Sequence, residues 1–124
     1  MRTVRSYGIE STTECGLTGV WVGDQKIAAI GVRVSRIGGA AGGWIATHGL
    51  ALNVSVDLSW FERIVPCGIV DRGVTSMQRL LGKAPEIEAI GGRLAESFGE
   101  AFSRSMQKAE QLEPAAAVIQ RHPG

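Results

Sequence analysis

The chain is short of the residues that build a metal centre. It has two cysteines and two histidines, with no C-x-x-C pair and no H-E-x-x-H run, so no metal is expected. It also lacks a block of charge of one sign. Thirteen basic residues stand against twelve acidic ones, scattered along the sequence, whereas a nucleic-acid surface needs a concentrated basic face. No apolar run approaches the roughly 18 residues that span a bilayer. The opening MRTVRSYGIESTTECGLTGV contains no continuous apolar segment of the secretory type. A reducing cytoplasm is the expected compartment, a mitochondrial matrix the alternative, and Cys15 and Cys67 are expected as free thiols.

What is present is glycine and apolar residues. Seventeen glycines are spread without a period through 124 residues that are 44% hydrophobic. This composition suits one turn-rich domain with a modest core. Residues 1–112 are expected to form the domain and residues 113–124 a loosely held tail.

The opening, Met1 to about Ile9, reads as the end of a helix. In TGVWVGDQKIAAIGVRVSR, Val20 and Val22 precede a Gly23-Asp24 turn and a β-branched run follows from Ile27 to Val34, which is a hairpin pattern. The segment IGGAAGG, Ile37 to Gly43, reads as a loop at a hairpin tip. The next stretch, GLALNVSVDL, places Leu50, Leu52, Val54, Val56 and Leu58 at alternate positions, with Gly49, Ala51, Asn53, Ser55 and Asp57 between them. That alternation predicts a strand with one apolar, core-facing side and one small, polar side. DLSWFERIV reads as a helical turn. Thr75 or Ser76 is placed to cap a brief helix ending at Gly82, and Pro85 to open a last helix. There Ile87, Ile90, Leu94, Phe98 and Phe102 form one apolar stripe.

The residue with the most chemistry is Cys67, set between Pro66 and Gly68 in a stretch that favours a turn. A cysteine attacks as its thiolate, and an ordinary thiol is mostly protonated at neutral pH. A nearby cation would favour the charged form. Lys26, His48, Arg63 and Arg72 could each supply one. The bland alternatives stand beside this: a small buried cysteine, an ordinary strand-end lysine, and a core-edge histidine at His48. Cys15 has no comparable setting and reads as incidental.

Three segments, TGVWVGDQKIAAIGVRVSR, THGLALNVSVDLSWFERIVPCGI and GVTSMQRLLG, together resemble the lipoyl(octanoyl) transferase family, in family order, over about Thr18 to Gly82. The resemblance implies an α+β fold like that of biotin protein ligases and lipoate ligases: a mixed β-sheet flanked by helices. It implies an acyltransferase that moves an octanoyl group from octanoyl-acyl carrier protein to a lysine. The acceptors would be lipoyl domains of 2-oxoacid dehydrogenases and the glycine cleavage H protein. Cys67 matches the family cysteine that carries the acyl group, and Lys26 the lysine that lowers its pKa. Ala29-Ile30-Gly31 and Gly49-Leu50-Ala51 match two segments that bind the acyl substrate. No cofactor is implied, because passing an acyl group from thioester to thioester to amide needs no ATP.

The family's upstream segment, of the type R-G-G-x-x-T-Y/F-H-G-P-G-Q, has no counterpart here. The resemblance is therefore to a C-terminal half, apparently truncated at the N-terminus. SRIGGAAGGWIATHG also looks longer than the family's usual connection. Two alternatives follow, a catalytically inactive or complementing fragment and an acyl-binding module with a structural thiol.

Overall fold

The computed structural model describes residues 1–38, 42–63 and 72–108. Within them the chain is α+β, a sheet with helices packed on it. A short helix, α1 (Arg2–Arg5), leads into strands β1 (Thr12–Glu14), β2 (Leu17–Val22), β3 (Gln25–Ile37) and β4 (Gly43–Leu52). A 3-10 turn (Leu58–Arg63) and helices α2 (Met77–Leu81) and α3 (Ile87–Phe102) complete it.

The four strands lie in the order β1-β2-β3-β4, each antiparallel to its neighbours. Two-residue connections, Cys15-Gly16 and Gly23-Asp24, fix the first two registers, pairing Glu14 with Leu17 and Val22 with Gln25. Gly23 takes φ 57°, the positive angle that a turn matching the twist of two strands needs at its first central residue. A parallel bridge from Lys26 to Val74 makes the pairing mixed.

The core sits where the helices meet the first half of β3. Val4 of α1, Ile9, Val20, Ile27, Ala28, Val54, Met77 of α2 and Ile90 of α3 form one buried cluster. Ser76 caps α2, its hydroxyl accepting from the Arg79 amide at 3.2 Å, and Gly82 ends that helix at φ 76°. Both roles were expected. Pro85 lies just before Glu86, the N-cap of α3.

Three expectations fail on burial. The alternating stretch is not one core strand, because β4 ends at Leu52. Beyond it the backbone turns to serve α2, with the carbonyls of Asn53 and Val54 accepting from Met77 and Gln78 at 2.9 and 2.8 Å. Val54 is buried, while Leu50 and Val56 are exposed. Along α3, Ile90 is buried but Ile87, Phe98 and Phe102 are exposed. Ser97 and Gly99 face inward there instead, and the Phe98 and Phe102 rings stack on each other at 4.5 Å. His48 is no core-edge residue: it is exposed, at φ 77°.

The outer parts of β3 and β4 form a two-stranded ribbon reaching past the core. Cross-strand partners share a face. One face therefore carries Ile30 with Leu50, Val32 with His48, Val34 with Ala46, and Arg36 with Trp44. Among the described residues nothing covers it, Val32 being 66% and Trp44 72% exposed. The opposite face carries Ala29 with Ala51 and Gly31 with Gly49.

Candidate active site

Lys26 is the second residue of β3 and is only 8% exposed. Its burial follows from local sequence. The Gly23-Asp24 turn sets Lys26 directly opposite Trp21, and a register shift falls between Val20 and Trp21. Such a bulge bends a strand and re-aims its side chains. The Lys26 ammonium nitrogen lies 4.9 Å from the centre of the Trp21 ring, within reach of the attraction between a cation and an aromatic face. Gly19 completes the enclosure. A Cβ there would meet Lys26 Cε at 3.2 Å and the Ala28 carbonyl at 2.7 Å, so the lysine stem occupies space that any other residue at position 19 would take.

The backbone of Lys26 is engaged on both sides. Its amide donates to the Gly73 carbonyl at 2.9 Å, and its carbonyl accepts from the Thr75 amide at 3.0 Å. The Asn53 side-chain amide donates to the Thr75 carbonyl at 3.0 Å, and the Asn53 backbone amide to the Ile27 carbonyl at 2.9 Å. The chain on leaving residues 64–71 is thus fixed beside the lysine. Cys67 itself, with its Pro66 and Gly68 flanks, lies outside the described residues.

Arg72 is the first described residue after that gap. Its guanidinium carbon lies 5.3 Å from the Trp21 ring centre, and Nη1 donates to Glu14 Oε1 at 2.7 Å. Of the other cations considered, His48 lies on the ribbon opposite Val32, five residues along β3 beyond the Ile27 that follows the lysine, and the Arg63 side chain is not described.

The two segments expected to bind an acyl chain are joined strand to strand. Ala29 pairs with Ala51, Ile30 with Leu50 and Gly31 with Gly49. Ala29, Gly31, Gly49 and Ala51 are all exposed, leaving a strip of near-bare backbone beginning three residues beyond Lys26. Such a strip admits a thin apolar chain without competition from side chains.

Trp21, Glu14 and Asn53 were not singled out from the sequence as site residues. Trp21 was legible: a two-residue turn at Gly23-Asp24 sets the residue before Val22 opposite the one after Gln25. Glu14 and Asn53 meet their partners 58 and 22 residues away in sequence, and no local pattern encodes that.

The site is thus a buried lysine at the root of a small-residue ribbon in an α+β domain. The profile of the lipoyl protein ligase A/B catalytic domain matches residues 1–99, and the chain belongs to that family. The curated relatives narrow the resemblance. Over 104 residues the chain is 52% identical to the octanoyltransferase of Chloroflexus aggregans, covering 82% of this chain and 44% of that protein. The octanoyltransferase of Rubrobacter xylanophilus is 46% identical over 100 residues, 81% of this chain and 42% of the relative. A putative mitochondrial lipoyltransferase 2 of Drosophila melanogaster is 41% identical over 112 residues, 90% and 45% respectively. The chain thus spans less than half the length of these relatives.

Proposed function

We propose that this chain carries the acyl-transfer centre of an octanoyltransferase, with Cys67 as the acyl carrier and Lys26 as its proton partner. The observation that carries the reading is the placing of Lys26. It is buried, and it is hydrogen-bonded to residues 73 and 75 where the chain leaves the segment that holds Cys67. The names and the identity of the relatives support the same reaction.

The chemistry follows from ordinary thiol and amine reactivity. Lys26 as a free amine takes the Cys67 proton, leaving a thiolate beside an ammonium. The thiolate attacks the carbonyl carbon of octanoyl-acyl carrier protein, and the tetrahedral oxyanion collapses to expel the carrier's thiolate, which takes back the proton. An acyl-Cys67 thioester remains. The acceptor lysine, on a lipoyl domain of a 2-oxoacid dehydrogenase or on the glycine cleavage H protein, attacks as a neutral amine. An amide C–N bond forms, the C–S bond breaks, and the amine proton passes to the Cys67–Lys26 pair. The Ala29–Gly31 and Gly49–Ala51 strip holds the octanoyl chain. No ATP or metal enters, and the bacterial cytoplasm is the proposed setting.

Intact mass after mixing the chain with octanoyl-acyl carrier protein tests this. One added octanoyl group, lost in Cys67→Ala and slowed in Lys26→Ala, is the expected result. An adduct that survives Cys67→Ala would overturn it.

The uncovered apolar face of the ribbon favours a second reading, in which the chain acts only after a complementing polypeptide covers that face. Folded protein that forms no adduct alone, and forms one once the remaining portion of a relative is added, would select this reading over the first.

A further inference from the structure

We propose that Trp21 is a positioning residue, whose indole holds the Lys26 ammonium and the Arg72 end of the Cys67 segment to one common surface. The inference rests on the reading of Lys26 and Cys67 given above and adds to it a positioning group.

A flexible four-carbon amine is a poor proton partner unless something fixes it. Among the described residues no carboxylate lies within ion-pair distance of Lys26, so an acidic side chain does not do this. The ring does. Trp21 is 1% exposed, and its Nε1 donates to the Leu17 carbonyl at 3.2 Å, which fixes the rotation of the indole. The face so fixed lies 4.9 Å from the lysine nitrogen, while the backbone at Gly19 closes against the lysine stem. A π face attracts an ammonium without neutralising it or taking its proton, and so leaves the amine free to exchange one with a thiol.

The second cation on the ring gives the arrangement its reach. Arg72 lies 5.3 Å from the same ring centre and is the first described residue after the segment containing Cys67. Two cations on one ring repel. Glu14, bonded to Arg72 at 2.7 Å, offsets the arginine's charge and leaves the lysine's uncompensated. Trp21 is thereby a shared reference for the lysine and for the chain at Arg72.

The test is the alkylation rate of Cys67 by iodoacetamide at pH 7, read by peptide mass in a Cys15→Ser background. It needs no acyl donor. Raising a thiol pKa by one unit removes most of the thiolate, so Lys26→Ala is expected to slow alkylation by about fivefold to tenfold. Trp21→Leu is expected to slow it similarly, and the double variant to be no slower than Lys26→Ala. Trp21→Phe, which keeps an aromatic face, should remain within about threefold of the parent. A role in packing alone predicts equal slowing by Leu and Phe, and further slowing in the Lys26→Ala background; either result overturns the proposal. A parent-like rate for Lys26→Ala overturns the underlying reading of the lysine instead. Should Trp21→Leu not fold, the parent's Lys26 side-chain proton shifts decide. Upfield displacement by the indole, reduced in Trp21→Phe, supports the proposal, and ordinary shifts overturn it.

Discussion

Gly31 and Gly49 stand directly opposite each other across β3 and β4, yet packing demands glycine at neither position. A Cβ at Gly31 would come no closer than 4.0 Å to any neighbour, and one at Gly49 would meet nothing within 4 Å. Neither has a positive φ. The bare backbone is therefore available for a ligand. Gly49→Val is expected to change unfolding free energy by less than about 1 kcal/mol, a β-branched residue being favoured in a strand. If the strip holds the octanoyl chain as proposed, the same variant should lower octanoyl loading by about tenfold or more, because a side chain then fills the space of the acyl chain. Urea unfolding and intact-mass loading measured on the same sample check both halves.

Gly19 is the opposite case. At φ 141° and with the Ala28 carbonyl only 2.7 Å from a Cβ, alanine here both strains the backbone and displaces β3. Gly19→Ala is expected to cost about 2–4 kcal/mol in urea unfolding, combining strain with overpacking. Stability unchanged from the parent would contradict the described bulge.

Asn53 ties the end of β4 to the strand segment around Val74. Asn53→Ala leaves the Thr75 carbonyl without its side-chain donor, and a destabilisation of about 1–2 kcal/mol is expected. Because that bond sits beside Lys26, amide exchange at Thr75 should quicken more than at Ser76-capped α2. Uniform quickening across the domain would argue against a local role.

Asp57 reports on acid. Its carboxylate accepts the Ser59 amide at 3.0 Å, and that bond holds its pKa below the ordinary aspartate value of 3.8. A depressed folded pKa stabilises above the unfolded pKa and is lost as pH falls through the folded one. The Ser59 amide resonance should therefore titrate with a midpoint below 3.8, and the 3-10 turn it caps should loosen only beneath that pH. A midpoint at or above the ordinary value would remove this bond from solution. In Asp57→Asn the titration should disappear.

The parts of the fold legible in the sequence are those set by local chemistry. Gly23-Asp24 specifies a tight hairpin, and Ser76 with Gly82 bounds a helix, because turns and caps act over a few residues. The alternation separates an apolar side from a small one only over the end of β4, at Leu50 and Leu52, and fails from Asn53 onward, where the strand has ended. It says nothing about whether another element covers that side, and over most of the ribbon none of the described residues does. The stripe on α3 misleads for the same reason: Phe98 and Phe102 satisfy each other while Ser97 turns inward. At the site, thiol chemistry raised Lys26 as one of four candidate cations, and the family resemblance selected it and added Ala29–Gly31 and Gly49–Ala51. Their register follows from the hairpin, and the Glu14–Arg72 pair only from three-dimensional closure.

The bond pair linking Lys26 to residues 73 and 75 also has a mechanical meaning. It closes a loop of about fifty residues, whose entropic cost grows only slowly with length. Tension applied at the two ends of the chain passes across that junction and bypasses the loop. Lys26 and Val74 run parallel, so the junction is loaded in shear, its hydrogen bonds resisting together. The ribbon within the loop bears no load until they break. A stretched molecule would lose its lysine site when that junction parts, while Asn53 still ties the base of the ribbon to Ile27 and Thr75.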